Sequence, residues 1–412
     1  MITRILSPFQ YVPGISRAAV GAAALAGALA FAPAPVQAQT LAEALIAAYS
    51  NNPTLAARRA RLRATDEQVP QALSNWRPSV AITGDAGYER NRSTLRTTDR
   101  TQNRNPATVG LSITQPLYRG GRTLAATEGA ENSVRAERAR LIDTEQDILL
   151  AAATAYLNVF RDEAVLALNI NNEKVLKRQL EATKDRFEVG EITRTDVHQA
   201  EARLAGATAD RIRAEANLEN SRATYENVVG LPAPKNLELP GDPGGLPKER
   251  HDAIKMAATT NPNVIAAEFD RKAGMNTVRE VKGELLPEVD VTASADRAYE
   301  SSSDTGRIDS AEVRVNLTIP IYQQGSVYSR LREAKQSLAE LTRNIDQARR
   351  DAIEDATSAW ENLQTARARV VSFSAQIEAN VVALDGVERE AAVGSRTVLD
   401  VLDAEQELLD SR

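Results

Sequence analysis

Chemistry needs reactive side chains at workable spacing, and this chain carries few. It has no cysteine, which excludes thiolate metal sites, thiol nucleophiles, a disulfide framework and a lipid on an N-terminal cysteine. Its two histidines, His198 and His251, are 53 residues apart, so no local histidine metal motif is present. His198 has no partner ligand beside it and reads as a solvated or intrahelical residue. Gly120-Gly121-Arg122 has the glycines of a phosphate loop, but no Walker pattern follows and a strand-to-helix turn explains it. The 56 Asp and Glu residues form no acid, base or nucleophile cluster denser than the charge of a coiled coil. Neither an enzyme, a cofactor nor a metal is expected. One segment does concentrate charge: residues 90–105 hold five Arg against one Asp, a net +4. Such a segment has the charge to meet phosphate groups. The whole chain is acidic, at −6, which argues against a nucleic-acid partner.

The elements that carry these residues begin with an address. Arg4 and Arg17 precede an apolar run from Ala18 to Ala32, and Val36-Gln37-Ala38 supplies small residues for cleavage. The run is about 15 residues long and breaks at Pro33 and Pro35, against roughly 20 needed to span a bilayer. Residues 1–38 therefore read as a signal peptide, with a mature start at Gln39. Nothing after it resembles a membrane-spanning helix, so any membrane contact must be made by strands.

The remaining chain reads as a tandem duplication. Asn52-Pro53 recurs as Asn261-Pro262, and Arg77-Pro78-Ser79-Val80 as Leu286-Pro287-Glu288-Val289, at an offset of 209. Thr114-Gln115-Pro116-Leu117-Tyr118 recurs as Thr318-Ile319-Pro320-Ile321-Tyr322, at an offset of 204. Val189-Gly190 to Asp196-Val197 recurs as Val393-Gly394 to Asp400-Val401 at the same offset. The first repeat covers 39–230, with a hairpin at 78–118, a long helix at 121–190 and a helix at 195–230. A Pro/Gly-rich linker at 231–250 leads to the second repeat, 251–412, with a hairpin at 287–322, a long helix at 325–394 and a last helix at 396–412. That last helix is about 22 residues shorter than its first-repeat counterpart.

Period-two alternation marks the strands. Val80, Ile82, Ala86 and Tyr88 oppose Ser79, Thr83 and Asp85, and Val109, Leu111 and Ile113 oppose Gly110, Ser112 and Thr114. In the second repeat Val289, Val291, Ala293 and Ala295 oppose Asp290, Thr292, Ser294 and Asp296, while Val313, Val315 and Leu317 oppose Arg314, Asn316 and Thr318. Very polar loops at 90–106 and 300–310 join each pair. The helices carry a seven-residue repeat instead: Leu338, Ile345, Ala352, Ala359, Ala366 and Phe373, echoed by Val134, Leu141, Ile148 and Ala155. Such spacing is the coiled-coil pattern. From Gly121 to Gly190 the helix would run on the order of 105 Å at 1.5 Å per residue.

Four amphipathic strands cannot close a spanning barrel, since the smallest have eight. Copies of the chain must pool them, eight strands from two or twelve from three, with apolar side chains toward lipid and polar ones toward a wet lumen. Tyr88, Tyr118, Tyr299 and Tyr322 lie near strand ends, where aromatic rings suit a membrane interface.

The order helix, hairpin, very long helix and Val-Gly turn before Thr-x-x-Asp-Val, given twice, resembles the TolC family of outer-membrane efflux and type I secretion channels. Ala392 to Ala404 resembles that family's second turn, and Val189 to Val197 its first. The resemblance implies an α+β membrane protein, a trimer whose four strands per protomer form a 12-stranded β-barrel. Long coiled-coil helices would extend it as a periplasmic tunnel, with the chain in the outer membrane and largely periplasmic. It implies a periplasmic adaptor and an inner-membrane transporter as partners, outer-membrane lipid around the barrel, and drugs, toxic compounds or secreted proteins as cargo. It also implies a pore constriction lined by Asp400 and Asp403, and a gate link between Asp196 and Arg396. A tyrosine that joins this link in the best-known members is Ala391 here. The competing classes are a periplasmic coiled-coil adaptor or trimeric adhesin-like structural protein, and a periplasmic hydrolase.

Overall fold

Asparagine followed by proline starts a helix twice, for a local reason. Asn52 Oδ1 accepts from the Thr54 N–H at 2.9 Å and the Leu55 N–H at 3.3 Å, and Asn261 Oδ1 accepts from the Asn263 N–H at 2.8 Å. Each proline fills the first helical position, where no N–H is needed. The computed structural model, which describes residues 39–95, 98–234, 236–301 and 306–412, builds on these starts. The segment read as a signal peptide lies outside the described residues.

The first half contains α1 (Leu41–Asn51), α2 (Pro53–Asp66), α3 (Gln68–Ser74), β1 (Ser79–Ala86), β2 (Glu89–Leu95), β3 (Thr98–Arg104), β4 (Ala107–Arg119), α4 (Arg122–Glu188) and α5 (Arg194–Val229). The second contains α6 (Arg250–Thr260), α7 (Pro262–Gly283), β5 (Glu288–Tyr299), β6 (Arg307–Thr318), α8 (Ser326–Ala392) and α9 (Val398–Ser411). Helices α4 and α8 have 67 residues each, on the order of 100 Å. Strands β1, β4, β5 and β6 form one antiparallel sheet in that order. Helix α4 packs against α7 and against α5, and α8 against α7 and α9. The long helices thus link the sheet at one end to the Val-Gly turns at the other.

Midway along, Ala44, Ala48, Ala152, Ala155, Tyr156, Val159, Leu218, Tyr225 and Val229 form the main buried cluster. Alanine there lets α1, α4 and α5 approach closely. The two tyrosines carry their hydroxyls out to backbone and side-chain partners: Tyr156 donates to the Gln39 carbonyl at 2.8 Å, and Tyr225 to Gln39 Oε1 at 2.8 Å. Gln39 also bridges Leu237 in parallel, so the start of the described chain is tied to the linker.

Three expectations change. The polar segment 90–106 is not a loop: Glu89–Leu95 and Thr98–Arg104 pair as a two-stranded antiparallel ribbon. The chain therefore has six strands among its described residues, four in the sheet and two in the ribbon. A ribbon polar on both faces leaves no hydrophobic alternation to read. The second loop is shorter than 300–310, because β6 already starts at Arg307. In α8 the seven-residue stripe is buried at Ile345 and Ala352 but exposed at Ala359, Ala366 and Phe373. A stripe is buried only where a partner helix runs beside it; α6 lies on α8 near Glu361, and among the described residues the stripe beyond it is left exposed.

Gly120-Gly121-Arg122 is the β4-to-α4 turn. Both glycines have positive φ, 61° and 74°, and a side chain on Gly120 would collide with the Gly283 carbonyl and Leu286. Arg122 instead reaches Glu288 at 2.7 Å, which Arg119 also meets at 3.2 Å. The segment is a joint between the two halves.

Candidate functional site

Two turns at the far end of the long helices share one construction. After α4, the Gly190 N–H donates to the Phe187 carbonyl and the Glu191 N–H to the Arg186 carbonyl, both at 3.0 Å. After α8, Gly394 and Ser395 repeat the pattern onto Ala391 and Glu390 at 3.1 and 3.0 Å. Left-handed glycines, φ 81° and 79°, permit this C-terminal closure. The next helix then opens on a capping box. Thr193 with Asp196, and Thr397 with Asp400, each exchange backbone N–H and side-chain oxygen bonds.

Asp196 and Asp400 are therefore placed first as capping residues. Asp400 Oδ2 accepts from the Thr397 N–H at 2.9 Å and its hydroxyl at 2.8 Å. The Thr397 backbone bond, then its hydroxyl, then the nearby Arg396 charge hold the Asp400 carboxyl below the usual carboxylate range, so it stays ionised at neutral pH. Arg396 meets Glu390 at 2.9 Å, and among the described residues no ion pair joins it to Asp196. The ion pair that does cross between the halves here is Arg203–Asp403, with side chains 39% and 56% exposed. Leu402, buried with Leu176 and Ala207, fixes α9 on α4 and α5 and so aims Asp403 at Arg203. Val197 and Ala200, packed on Leu180, do the same for the start of α5. His198 meets Glu201 at 3.1 Å and Lys184 meets it at 3.2 Å. Bonds from these two, His198 first, hold the Glu201 carboxyl down.

At the other end, register assigns every strand residue to a face. One face carries Val80, Ile82, Val109, Leu111, Ile113, Val289, Val291, Val313, Val315 and Leu317, and most of these stand open to solvent in the single chain, Ile82 at 77%. The opposite face carries Ser79, Thr83, Asp85, Ser112, Asp290, Thr292, Asp296, Glu312, Arg314 and Asn316. There Asn316 donates to Asp290 at 2.8 Å and Thr292 to Asp290 at 3.2 Å. The sheet's outer strands, β1 and β6, each have one unpaired edge.

Tyr118, opposite Val289, and Tyr299, opposite Ala107, both stand on the apolar face. Ten residue steps separate Val289 from Tyr299, about 34 Å along a strand and about 24 Å if the strand is tilted by ~45°. Tyr322 follows β6 at the helical end, and Tyr88 follows β1 at the ribbon end; both are exposed. Among the described residues no acid and histidine group could hold a metal ion, and no helix is long and apolar enough to cross a membrane.

The family model for outer membrane efflux proteins matches residues 45–231 and 253–412. This chain belongs to the outer membrane efflux protein family. Its relatives include the outer membrane efflux protein BepC of Brucella suis, 35% identical across 90% of this chain and 80% of that one. The outer membrane protein TolC of Vibrio cholerae is 27% identical across 91% of this chain and 86% of its own length. A crystal structure of a membrane protein from Pseudomonas aeruginosa superposes with a TM-score of 0.79 at 18% identity, covering 90% of this chain and 88% of that one; at that identity the match speaks for the fold alone. The family is one of transport proteins of the outer membrane.

In this outer membrane efflux protein the residues missed by sequence reasoning are Arg203 and the capping threonines. Thr193 and Thr397 carried a readable signal, since Thr-x-x-Asp ahead of an apolar helix is a capping pattern. Arg203 carried none. Its counterpart in the second half is Glu407 and that of Asp403 is Gln199, so the repeat offers no pairing rule.

Proposed function

We propose that this chain is the outer-membrane exit duct of a tripartite efflux pump or type I secretion system, working as a homotrimer without enzymatic activity. The observation that carries the reading is a two-faced, four-stranded sheet with two open edges, mounted on helices of about 100 Å. Strand β6 of one copy pairs with β1 of the next, and three copies close a 12-stranded barrel with no edge left. Apolar residues then face lipid, and the polar face lines a wet channel. The tyrosines Tyr88, Tyr118, Tyr299 and Tyr322 mark the two interfaces, and the ~24 Å between Tyr118 and Tyr299 agrees with the roughly 25 Å apolar band of such barrels.

The helices continue the duct through the periplasm. Exposed Val370, Val371, Phe373 and Val382 on α8 are covered by neighbouring copies, which supply the partner that the seven-residue stripe lacks in one protomer. At the turn end, three copies bring together rings of Asp400 and Asp403 as the pore constriction, which concentrates cations and repels anions. The Asp196 and Arg396 link forms between protomers, since within one protomer both side chains have other partners. A periplasmic adaptor and an inner-membrane transporter load the duct, with drugs, toxic compounds or proteins as cargo.

Outer-membrane fractions run on gels with and without heating test the assembly. A heat-resistant trimer that conducts in planar bilayers is expected; a monomeric, water-soluble particle would refute it. Arg396→Ser is expected to raise single-channel conductance, and unchanged conductance would refute the gate link.

A further inference from the structure

The two-stranded ribbon carries a second, unassigned surface, and its register says where that surface points. Pairing partners in β1/β4 and in β2/β3 follow one rule: Val80 faces Ile113, Ala86 faces Ala107, Arg90 faces Asn103 and Arg92 faces Thr101. No residue is gained or lost between the two ladders, and the Gly87 N–H bonds the Pro106 carbonyl at 2.9 Å across the gap. The hairpin is therefore continuous, and side-chain alternation carries through it. The face that bears Val80, Ile82, Leu111 and Ile113 is also the face that bears Tyr88, then Arg90, then Arg92.

This sequence of residue types is a depth ladder. Aliphatic side chains suit hydrocarbon and tyrosine suits the boundary. Arginine, one residue pair farther from the sheet, comes where the outer leaflet changes from acyl chains to headgroups. Arg90 and Arg92 stand about 7 and 13 Å beyond Tyr88 along the strand, and both are exposed. The second hairpin also ends in charge on that face, with its arginine level with the tyrosine instead of beyond it. On its apolar face Val313 and Ala311 give way to Asp309 and then Arg307, with Tyr299 opposite Arg307. Asp309 is bonded by Arg297 at 2.7 Å and meets Arg307 at 3.2 Å, so this cluster of two arginines and one aspartate keeps a net positive charge.

The ribbon's base is fixed rather than free to swing. Arg104, on the opposite face, is 9% exposed; it bonds the Ser301 carbonyl at 2.8 Å and Glu89 at 3.1 Å. The Asn105 N–H donates to Glu300 at 2.8 Å. The two hairpins are thereby locked side by side, with Arg90 and Arg92 on the first and Arg307 on the second presented on the outward face. Arg104 and Glu89 spend their charge on this lock.

We propose that Arg90, Arg92 and Arg307 form a phosphate-binding rim for the phosphorylated glycolipid of the outer leaflet, with one such rim on each protomer. Guanidinium groups match phosphate oxygens bidentately. Charge complementarity and the ordering of aliphatic, tyrosine and arginine residues on a single face select lipid A over a soluble anion. The proposal rests on the barrel reading, which supplies the membrane.

The test uses purified full-length protein in detergent, with bound lipid counted by native mass spectrometry and affinity read by titration. Bisphosphorylated lipid A is expected to bind, phosphate-free lipid A to bind at least about tenfold more weakly, and inorganic phosphate not to compete at millimolar concentration. The double variant R90A/R92A is expected to lose at least about tenfold in affinity for bisphosphorylated lipid A. R314A, which removes one positive charge from the lumen-side face, is expected to bind as the parent does. Equal binding by R90A/R92A and the parent, equal loss in R314A, equal binding of phosphate-free lipid, or displacement by inorganic phosphate would each overturn the rim. Gel trimers and bilayer conductance are recorded on the same samples. Parent protein that neither trimerises nor conducts refutes the barrel reading, whereas trimers that conduct while R90A/R92A still holds lipid A refute only the rim.

Discussion

Arg203 and Asp403 form an ion pair that can be broken from either side, and the two breaks have opposite electrostatic consequences. Arg203→Gln leaves the Asp403 carboxylate unneutralised, whereas Asp403→Asn leaves the guanidinium. In a trimer each change shifts the charge near the constriction by three units, negative in the first case and positive in the second. Cation-over-anion permeability is therefore expected to rise in Arg203→Gln and to fall in Asp403→Asn. Both changes also release α9 from α5. An exposed pair contributes about 0.2–1 kcal/mol, so three links stabilise the closed end by at most about 3 kcal/mol, a factor of up to about 100 in the closed-to-open ratio. Open probability should therefore rise in both variants. Reversal potentials in asymmetric KCl and single-channel records measure the two effects separately. Screening provides a further control: the Debye length falls from about 8 Å at 0.15 M salt to about 3 Å at 1 M, so the permeability difference should shrink at high salt. Reversal potentials that move in the same direction for both variants would refute the placement of Asp403 at the constriction.

Other positions make narrower predictions. Asn52 is 8% exposed and bonds the Val228 carbonyl at 2.9 Å besides capping α2, whereas Asn261 caps α7 at a half-buried site. Asn52→Ala should cost about 2–3 kcal/mol and Asn261→Ala about 1 kcal/mol in denaturant midpoints; equal losses would contradict the buried bond. Gly120→Ala meets both a positive φ and the Gly283 carbonyl, while at Gly121 a side chain has open space. The first change should cost on the order of 3 kcal/mol and the second about 1–2 kcal/mol, read as trimer recovered from outer membranes. Glu405 is held above the usual carboxylate range by burial and by Glu388, and its Oε2 has no hydrogen-bond partner. Because its folded pKa is raised, the stability it gives is complete below its unfolded value and is lost as pH rises through the folded one. Glu405→Gln should therefore raise the thermal midpoint at pH 7 and leave it unchanged near pH 3.5.

Legibility in the sequence followed how local each cause is. Val80 and Ile82 alternate with Ser79 and Thr83 because one strand must satisfy two solvents, and that demand is written into consecutive residues. Asn52-Pro53 is equally local. The segment 90–106 reads as a loop because both faces of the ribbon it forms are polar, so no hydrophobic period survives there. The seam of α8 is legible as a stripe, but its partner is not, since Ala366 and Phe373 stand exposed among the described residues. At the turn end, Asp400 carried a visible capping pattern. Its neighbour Asp403 gains its partner only through the packing of Leu402 on Leu176, a contact between residues far apart in sequence that no local rule predicts.

On the barrel reading proposed above, the number of copies follows from what the polar face must hold. Two chains would give eight strands, and an eight-stranded barrel has an interior just wide enough for side chains to fill. Its core would then enclose two sets of Asp85, Asp290, Asp296, Glu312 and Arg314, an excess of buried carboxylates with water excluded. Burying even one unpaired charge costs several kcal/mol. Twelve strands would widen the bore enough to keep those carboxylates hydrated, and the same widening would let helices of about 100 Å surround a channel rather than a packed core. A head-to-tail β6-to-β1 contact closes only if its rotation divides a full turn, and that single angle must serve the sheet and the helices together. On that reading charge on the lumen face sets strand number, strand number sets the rotation, and the rotation decides which surfaces of α4 and α8 meet between copies.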